Sequence, residues 1–595
     1  MVHVWCYTRC VSHELRAGTS RGSPPRLKSQ TWLYRGLWIV LLLVSAALRF
    51  VAPDWDAAIA AHPDERFLLG AAETVPLMHN ICRAVPDFPY GHLPVILARL
   101  IVVASPDADP LYAARLLSAL VGVVLVALSG AAGRQLAGRK GALFAGIVVA
   151  LSPGLIQQAH FYTVDPIGAA LASGAVLAAA RRRWRMAGLL TGLAVACKLS
   201  LAVTGVALLG AALVHVRPRA PAKGTPAADA SAEDSSPWRC FLHAAGAFAL
   251  AAVVAFLAVS PWSLLTPVAC WRGPLAQSML VSGRYVLPYT QQYTGSLPLV
   301  YPLVQMGLWG LGPVVTVLGL GGLVVCGVVS SRSSRAWVSP VWLWTVIFFA
   351  ATAALRVKFA RYLLPLYPWW AAWAAYLLWG RGLHLSRRWV TSIAGLAVAT
   401  TAVLGLAQVG LYARPHPWGT ASRWLTTSVA PGATLVVETW DHPLPVPATS
   451  DEVGTSLEVP MANEVGAYVQ ISLPIYDDES PAKLAQLAGA AEADVLILAS
   501  RRGYGALSRE PARYPETLAW YRAQLERREV YVFTRCPVIG PVAITDDPLA
   551  DAGLPVPFSL AERCGTRYAL RLPRLDESFR VYDAPLTLIL ADHVE

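Results

Sequence analysis

Long apolar runs, each about as long as a membrane-spanning helix, recur along the first two thirds of the chain. A helix needs roughly 20 apolar residues to cross the hydrocarbon core of a bilayer, so the pattern predicts a multi-pass membrane protein. Basic clusters separate the runs, and placing these clusters on the cytoplasmic side orients the predicted helices. The runs are 32–50, 112–132, 142–159, 164–180, 186–197 continuing to 199–216, 241–260, 299–328, 337–355, 361–379 and 390–412.

Three segments depart from this pattern. Residues 1–31 are polar and basic, and no small-residue cleavage site follows the first run, which predicts a cytoplasmic tail before an uncleaved helix. The apolar run 91–104 has only 14 residues. We interpret it as tilted or re-entrant, which leaves open whether it spans the membrane. Residues 217–240 are rich in Pro, Ala and Ser and predict a cytoplasmic linker.

After Tyr412 the pattern changes to short β-type runs that alternate with helical ones. Residues 413–595 carry a net charge of −8, whereas the rest of the chain carries +20. An acidic region of mixed polarity predicts a soluble α/β domain, which we place outside the cytoplasm. The predicted strands are Ala433–Glu438, Asp494–Ala499, Glu529–Phe533 and Phe579–Leu590, and the predicted helices include Pro481–Ala491 and Pro515–Glu526.

Composition narrows the function classes. Hydrophobic residues make up 55% of the chain and charged residues 14%, which excludes an ordinary soluble protein. The excess of basic residues reflects the orientation of the helices in the membrane, so it does not indicate that the protein binds nucleic acid. The nine cysteines include no CxxC pair. Cys536 and Cys564 could form a disulfide in an extracytoplasmic domain, whereas Cys197 lies in an apolar run and is expected to be a small buried side chain.

Acidic residues are scarce in the membrane part, and this makes the few that occur informative. The chain has no Asp or Glu from Ser235 to Val437. The first predicted external loop, 51–90, contains two adjacent carboxylates in His62-Pro63-Asp64-Glu65. A carboxylate beside apolar helices at a bilayer surface costs free energy unless it is paired or used, so Asp64 and Glu65 are functional candidates. The alternative is that they cap and solvate a surface helix.

Asp165 and Lys198 are the next candidates. Asp165 is the one acid between Pro110 and Thr225, and our topology places it on the same face as Asp64. It would cap the following helix if Pro166 takes the first helical position, and capping is compatible with function. Lys198 interrupts an apolar run. It needs an anionic partner or a bound anion, unless it reaches the interface along its own stem.

The basic residues Arg356, Lys358 and Arg361, together with Tyr362, form a cluster that opens the run 361–379. Arg donates two parallel hydrogen bonds to phosphate oxygens, so the cluster suits a phosphate group, although simple interfacial anchoring fits as well. His62 and His160 are candidate metal ligands or ordinary hydrogen-bonding residues. The chain has no phosphate-cradling GxxxxGK[ST] loop, and Gly319-Leu320-Gly321-Gly322 is predicted to be a helix-packing surface rather than a dinucleotide turn.

Several short motifs occur in an order and spacing that can be compared with known families. They are His62-Pro63-Asp64-Glu65, Tyr90-Gly91-His92-Leu93-Pro94, Leu151-Ser152-Pro153 with His160 and Asp165, Gly188 to Lys198, Tyr293-Thr294-Gly295, and Arg361 to Pro368. In this order and spacing the chain resembles the polytopic GT-C glycosyltransferases of the family 39 type. That group includes protein O-mannosyltransferases and the aminoarabinose transferase of lipid A. The tail, with Glu438 to Asp441, Ser500 to Tyr504 and Phe579 to Asp583, looks like the extracytoplasmic domain of bacterial members.

The resemblance implies a polytopic α-helical GT-C fold over 32–412, with about 10–12 transmembrane helices, followed by the α/β domain. It also implies inverting transfer of a sugar from a polyprenyl-phosphate donor to an acceptor hydroxyl at the outer face of a bacterial plasma membrane. Asp64 would be the base, Glu65 would position the base or the donor, and Asp165 would be a second acid. Arg361 and Lys198 would face the lipid phosphate. The acceptor (protein, lipid or polysaccharide) and the use of a divalent metal stay open.

Two other classes stay open from the sequence. Many spans with sparse charge also fit a transporter of lipids or solutes, although transporters place their acids near the middle of broken helices rather than at helix ends. A non-catalytic membrane scaffold, whose C-terminal domain binds a partner, is the other.

Overall fold

The computed structural model describes residues 25–57, 59–77, 79–104, 109–215, 237–332, 340–380, 386–446 and 468–592. Most of the predicted tail 1–31 and of the predicted linker 217–240 lies outside these residues. The described chain is helical as far as Ser428, and every described strand lies between Thr434 and Ala591. The predicted class, a polytopic helical membrane protein followed by a C-terminal α/β region, is confirmed.

The helices before the first strand vary widely in length. The longer ones are Pro25–Arg49, Pro63–Thr74, His92–Ala104, Pro110–Leu151, Pro153–Ala159, Val164–Ala180, Trp184–Val195, Ala202–His215, Pro237–Val259, Pro267–Ser282, Pro313–Arg332, Pro340–Ala353, Tyr367–Trp379, Arg387–Tyr412 and Pro417–Ser428. Shorter turns connect them at Ile81–Ala84, Leu199–Leu201, Trp262–Leu265, Pro288–Tyr293, Val300–Gln305, Met306–Gly310 and Ala360–Leu366.

Four described helices are long and apolar enough to cross a membrane, and one sharply bent pair, Pro153–Ala159 with Val164–Ala180, adds a fifth if it forms one span. Four shorter apolar helices, His92–Ala104, Leu199–Ala212, Pro313–Val329 and Pro340–Ala353, accompany them. These lengths fit a multi-pass membrane protein. The predicted count of about 10–12 crossings stays a prediction.

Glycines set two close approaches between helices. In Pro110–Leu151 the backbone leaves helical geometry at Ala137 and Gly138, and Gly138 takes a φ of +67°. The two halves meet so closely that a Cβ on Gly133 would lie 2.3 Å from the carbonyl oxygen of Gly141. A Cβ on Gly322 would likewise lie 2.0 Å from the carbonyl oxygen of Trp373, which confirms the predicted packing role of the Gly319 to Gly322 segment.

The predicted single helix 299–328 is wrong, because the chain breaks near residue 312. A π-helical turn at Met306–Gly310 ends there, and a new helix starts at Pro313. Gly312 has a φ of +93°, a conformation that glycine adopts at no steric cost. Proline then starts the next helix, where its missing N–H needs no partner.

The short apolar helix His92–Ala104 is anchored at its first turn. The amide of Gly91 donates to the carbonyl of Cys197 at 3.0 Å, and the amide of Leu93 donates to that of Ala196 at 2.9 Å. With 13 residues the helix is about 20 Å long. It therefore fixes the first loop against the chain just before Lys198. Cys197 itself is fully buried, as predicted.

The C-terminal region contains a five-stranded sheet and a three-stranded sheet. The strands are β1 Thr434–Glu438, β2 Val469–Leu473, β3 Val495–Leu498, β4 Glu529–Phe533, β5 Val538–Ile539, β6 Val542–Thr545, β7 Tyr568–Arg571 and β8 Thr587–Ala591. The larger sheet has the order β2-β1-β3-β8-β4, with β1, β2 and β3 mutually parallel and β8 antiparallel to both of its neighbours. The helices of this region are Pro481–Ala490, Arg502–Leu507, Pro515–Arg527, Pro548–Asp551 and Leu560–Arg563.

The predicted strands at β1, β3 and β4 and both predicted helices are confirmed. The predicted strand Phe579–Leu590 is wrong over most of its length, since only Thr587–Ala591 pairs and Glu577–Phe579 is a 3-10 turn. Side-chain contacts with the membrane helices occupy this segment instead. Asp583 Oδ2 accepts hydrogen bonds of 2.9–3.1 Å from Gln157, Gln408 and Tyr412.

Two disulfides link described segments. Cys536–Cys564 is confirmed, and Cys82–Cys270 joins the first loop to the segment after the helix Pro237–Val259. The second bond was not predictable from the sequence, because its cysteines are 188 residues apart and only the fold brings them together.

We predict that Gly91→Ala destabilises the protein, because the new Cβ would lie 2.0 Å from the carbonyl oxygen of Ala196. The expected cost is about 1–3 kcal/mol, measured as a lower midpoint of thermal unfolding in detergent. Gly246→Ala is the control, since nothing lies within 4 Å of that position and alanine favours a helix. Equal midpoints for the two variants would contradict the close approach.

Candidate functional site

The helix Pro63–Thr74 delivers the acidic pair. His62 is its N-cap, with Nδ1 accepting from the amide of Asp64 at 3.1 Å, and Pro63 opens the first turn. Carboxylates in a first turn are stabilised by the helix dipole. Asp64 and Glu65 are nevertheless buried rather than solvated, so capping a surface helix does not explain them.

Asp64 belongs to a chain of alternating charges. Its Oδ2 lies 3.4 Å from Arg361 Nη2, and Arg361 Nε lies 3.4 Å from Oδ2 of Asp165. The other oxygen of Asp165 accepts from Lys198 Nζ at 2.7 Å. Lys198 also lies over the ring of Tyr362, 4.1 Å from its centroid. The structure thus brings five of the predicted site residues together, including the expected anionic partner of Lys198.

The predicted capping role of Asp165 is wrong. The helix begins at Val164 after Thr163, so Asp165 and Pro166 are its second and third residues. Proline is tolerated there because the first turn needs no amide donor at that position. The Asp165 carboxylate is directed at the two cations instead.

Three polar atoms at this site have no hydrogen-bond partner although they are buried: Asp64 Oδ2, Asp165 Oδ2 and Arg361 Nε. The contacts of the two carboxylate oxygens with the Arg361 guanidinium, both 3.4 Å long, are ion pairs rather than hydrogen bonds. Burial raises the pKa of Asp64, but the charge of Arg361, with His62 and a hydrogen bond from Tyr90, outweighs it and lowers the pKa below the ordinary carboxyl value. The site therefore favours the ionised form of Asp64, and its Oδ2 faces Arg361 without accepting a hydrogen bond.

Glu65 points away from this chain and into a second ion cluster. Arg115 donates from Nε and Nη2 to the two Glu65 oxygens at 2.8 and 2.7 Å, and from Nη1 and Nη2 to Asp56 at 2.8 Å. The amide of Tyr162 also donates to Glu65, at 2.8 Å. Glu65 thus holds the start of the helix Pro63–Thr74 in place, next to Asp64.

Asp56 and Glu65 share Arg115, and the pKa values of these two buried carboxyl groups shift in opposite directions. Burial raises the pKa of Asp56, but the bonds from Arg115 and from the Ala61 amide lower it to about 2. Burial raises the pKa of Glu65 despite Arg115, and the charge of Asp56 adds to the rise.

The two candidate histidines differ in position. His62 lies at the site, with Nε2 3.3 Å from Arg361 Nη1. Burial lowers the pKa of His62 to about 3, although Asp64 opposes the shift, so its ring is neutral at pH 7. His160 lies apart, stacked on Tyr412 with ring centroids 3.7 Å apart, and its two ring nitrogens face the carbonyls of Ile156 and Val51.

Sequence reasoning missed Arg115, Tyr90 and Tyr582. Arg115 carried a usable signal, since an arginine in an apolar helix needs a buried anion. The side chain of Tyr90 hydrogen-bonds that of Asp64, and Tyr90 directly precedes Gly91 in the chain. Tyr582 of the C-terminal region packs on His62 with ring centroids 4.2 Å apart, and nothing in the sequence indicated that this tail reaches the first loop.

Two sets of residues are relevant to a metal ion. Cys82, His92 and Cys270 bring potential ligand atoms within 4.8 Å of one another, and within the described ranges this is the one group of three so placed. Its sulfurs are joined in a disulfide, which makes them poor ligands, since thiolates bind metals. Near the site, Asp64 and Asp165 would hold a divalent cation through oxygens of the kind such ions bind. Arg361 already lies between these oxygens.

Comparison with known proteins gives one family match. Residues 101–227 match the sequence model of the family described as "Dolichyl-phosphate-mannose-protein mannosyltransferase". The predicted resemblance is confirmed. The matched segment contains Arg115, Asp165 and Lys198. A search of curated proteins found no match.

Solved structures to which the chain is similar include the oligosaccharyltransferase AglB from Archaeoglobus fulgidus in complex with an inhibitory peptide and a dolichol-phosphate. This match has 14% identity and a TM-score of 0.49, and it covers 83% of this chain and 72% of that one. ArnT from Cupriavidus metallidurans in the apo state is similar at 18% identity and a TM-score of 0.44, over 69% of this chain and 83% of that one. ArnT bound to undecaprenyl phosphate gives 20% identity, a TM-score of 0.42, and coverage of 68% and 82%.

We predict that Arg115→Met destabilises the protein by about 3–5 kcal/mol, because it leaves two buried carboxylates without their cation. The measurement is the midpoint of thermal unfolding in detergent. Arg272→Met is the matched control, because its pair with Asp87 has the same kind of contact at 2.8 Å but is exposed, and exposed pairs contribute little. Similar midpoints for both variants would rule out Arg115 as the anchor of the first loop.

Proposed function

We propose that this protein is an inverting glycosyltransferase that moves a sugar from a polyprenyl-phosphate donor to an acceptor hydroxyl. The observation that carries the proposal is Asp64. Its carboxylate is ionised, buried and paired with Arg361, and one of its oxygens accepts no hydrogen bond. The family match over 101–227 supports the sugar-lipid donor.

In the proposed reaction an acceptor hydroxyl donates to Asp64 Oδ2 and attacks the anomeric carbon of the sugar. The carboxylate takes the hydroxyl proton while the new C–O bond forms. The bond from the anomeric carbon to the phosphate oxygen breaks, and the lipid phosphate leaves with the electron pair. Displacement from the opposite face inverts the anomeric centre.

Arg361 and Lys198 stabilise the charge that develops on the leaving phosphate. Each already has a carboxylate partner in the described structure, so a bound phosphate would compete with Asp64 and Asp165 for these cations. Asp165 holds both cations in place and acts as a positioning residue. Glu65 acts likewise, through Arg115 and the helix Pro63–Thr74. Tyr362 supports Lys198, His62 caps the helix that carries Asp64, and His160 holds the backbone near Val51.

The proposed location is the outer face of a bacterial plasma membrane, with 32–412 as the catalytic membrane domain and 413–595 as an extracytoplasmic domain. The two disulfides support this assignment, because such bonds persist in oxidising compartments. Cys82–Cys270 would then link two external loops. The acceptor is a hydroxyl on a protein, lipid or polysaccharide.

We expect Asp64→Asn to abolish transfer, with a loss of at least about 100-fold, in protein that still folds. The assay supplies radiolabelled polyprenyl-phosphate sugars and membrane extract to purified protein and follows label from the lipid to an acceptor. Asp54→Asn, in the same loop but exposed, should transfer at the wild-type rate. A folded Asp64→Asn protein with full activity would exclude the proposed base. Failure of the wild type with every sugar would favour a transporter or scaffold.

The pH profile gives an independent test. Because the pKa of Asp64 is lowered on folding, its ionised form contributes stability that is present above the unfolded value of about 3.9 and lost as the pH falls through the lower folded pKa. The ratio kcat/KM for transfer, which reports the pKa values of the free enzyme, should therefore show no acid loss between about pH 8 and pH 5. An acid limb with a midpoint near pH 6 would instead assign the base to a carboxyl with a raised pKa, such as Glu65.

A further inference from the structure

The parallel strands of the C-terminal region have their carboxyl ends on the side where the chain meets the first loop. β1, β2 and β3 run in the same direction, and each is followed by a loop with polar residues. In open α/β sheets, ligands bind in the crevice outside these carboxyl ends. The loops are Thr439 to Asp441 after β1, Pro474 to Tyr476 after β2, and Ala499 to Arg502 after β3.

Arg502 lies in the loop after β3, and each of its three guanidinium nitrogens donates one hydrogen bond. Its Nε donates to Glu577 at 2.7 Å, its Nη1 donates to the carbonyl of Trp440 at 2.9 Å, and its Nη2 donates to the hydroxyl of Tyr582 at 3.0 Å. The ion pair with Glu577 balances the guanidinium charge. The crevice therefore offers oriented polar groups without an unpaired cation, which suits a neutral ligand better than a phosphate.

Tyr582 connects the crevice to the candidate site. Its ring packs on His62, the N-cap residue next to Asp64. Its hydroxyl accepts from Arg502 and still has its own proton to donate. Burial raises the pKa of Tyr582, although Arg502 and Arg361 oppose the rise, so this proton is present at neutral pH.

Two further tyrosines face the same space. Tyr289 lies with its ring centroid 5.8 Å from the Arg502 guanidinium carbon. Burial raises the pKa of Tyr289, and the charge of Asp64 adds to the rise while Arg502 and Arg361 oppose it. Tyr476 is buried, and its hydroxyl has no hydrogen-bond partner. A buried hydroxyl without a partner is unusual and calls for a ligand or water. Tyr582 and Tyr289 thus contact one oriented arginine beside the proposed base, and the buried hydroxyl of Tyr476 belongs to the loop after β2 at the same edge of the sheet.

We propose that the C-terminal region completes the transfer site, and that Tyr582, oriented by Arg502, hydrogen-bonds a neutral hydroxyl-bearing group next to Asp64. This inference rests on the proposed function and specifies where the substrate's hydroxyl groups lie. The group is the sugar of the donor or the acceptor itself, since both present hydroxyls to the same donor. Tyr582 determines which substrate fits, and Arg502 is a positioning residue.

The test is Tyr582→Phe, which keeps the ring on His62 and removes only the hydroxyl. Transfer is measured from radiolabelled polyprenyl-phosphate mannose into membrane extract, with donor and extract varied separately. We expect the half-saturating concentration of one of them to rise by about tenfold, the loss of a single substrate hydrogen bond. A rise for the donor assigns the group to the sugar, and a rise for the extract assigns it to the acceptor. Binding of polyprenyl phosphate without sugar should stay unchanged.

Two variants make the result specific. Tyr568→Phe removes an exposed hydroxyl from the same region and should leave both half-saturating concentrations at the wild-type value. Arg502→Lys keeps the charge but loses the planar fork that orients Tyr582, so it should raise the same concentration as Tyr582→Phe. If wild type transfers mannose and Tyr582→Phe matches it in both concentrations, the inference is overturned while the proposed function stands. If Asp64→Asn and wild type are equally active, the proposed function falls, and this inference falls with it.

Discussion

The position of the candidate site depends on one buried cation. Arg115 binds Glu65 and Asp56 at hydrogen-bond distance with all three side chains excluded from water, so the first loop is fixed to the helix Pro110–Leu151. Asp64 directly precedes Glu65, so the bonds that fix Glu65 also fix the position of Asp64. Such a cluster need not add net stability, because desolvation offsets much of the attraction. Its effect is positional, since any other register of the loop would leave charges buried without partners.

The four charges at the site itself are balanced, with two carboxylates against Arg361 and Lys198. On the proposed function, a lipid phosphate enters this balanced set and draws the two cations toward itself. Asp64 would then lose part of the attraction that keeps its pKa low. Its affinity for a proton would rise once the donor is in place. Donor binding and base strength are therefore coupled through Arg361.

Local chemistry made much of this architecture predictable. Apolar length identified the helices, acid scarcity singled out Asp64 and Asp165, and an intramembrane lysine implied the partner that the structure provides. The division of labour within the acidic pair was not predictable, because adjacent residues in a first turn point in different directions and only the fold decides which one meets Arg115. Tyr582 was equally hidden, since its contact with His62 joins segments more than 500 residues apart. The predicted strand around it failed for the same reason, because long-range side-chain contacts outweighed local propensity.

The strand order has a consequence for the timing of assembly. β8 ends at Ala591 yet lies inside the five-stranded sheet, between β3 and β4. The sheet therefore cannot close until that residue has left the ribosome, by which time the helices before it have had time to enter the membrane. Tyr582 lies just ahead of β8 and reaches His62 only as the sheet closes. The protein thus emerges with its charged site open, and the closing of the last strand places the final side chain beside it.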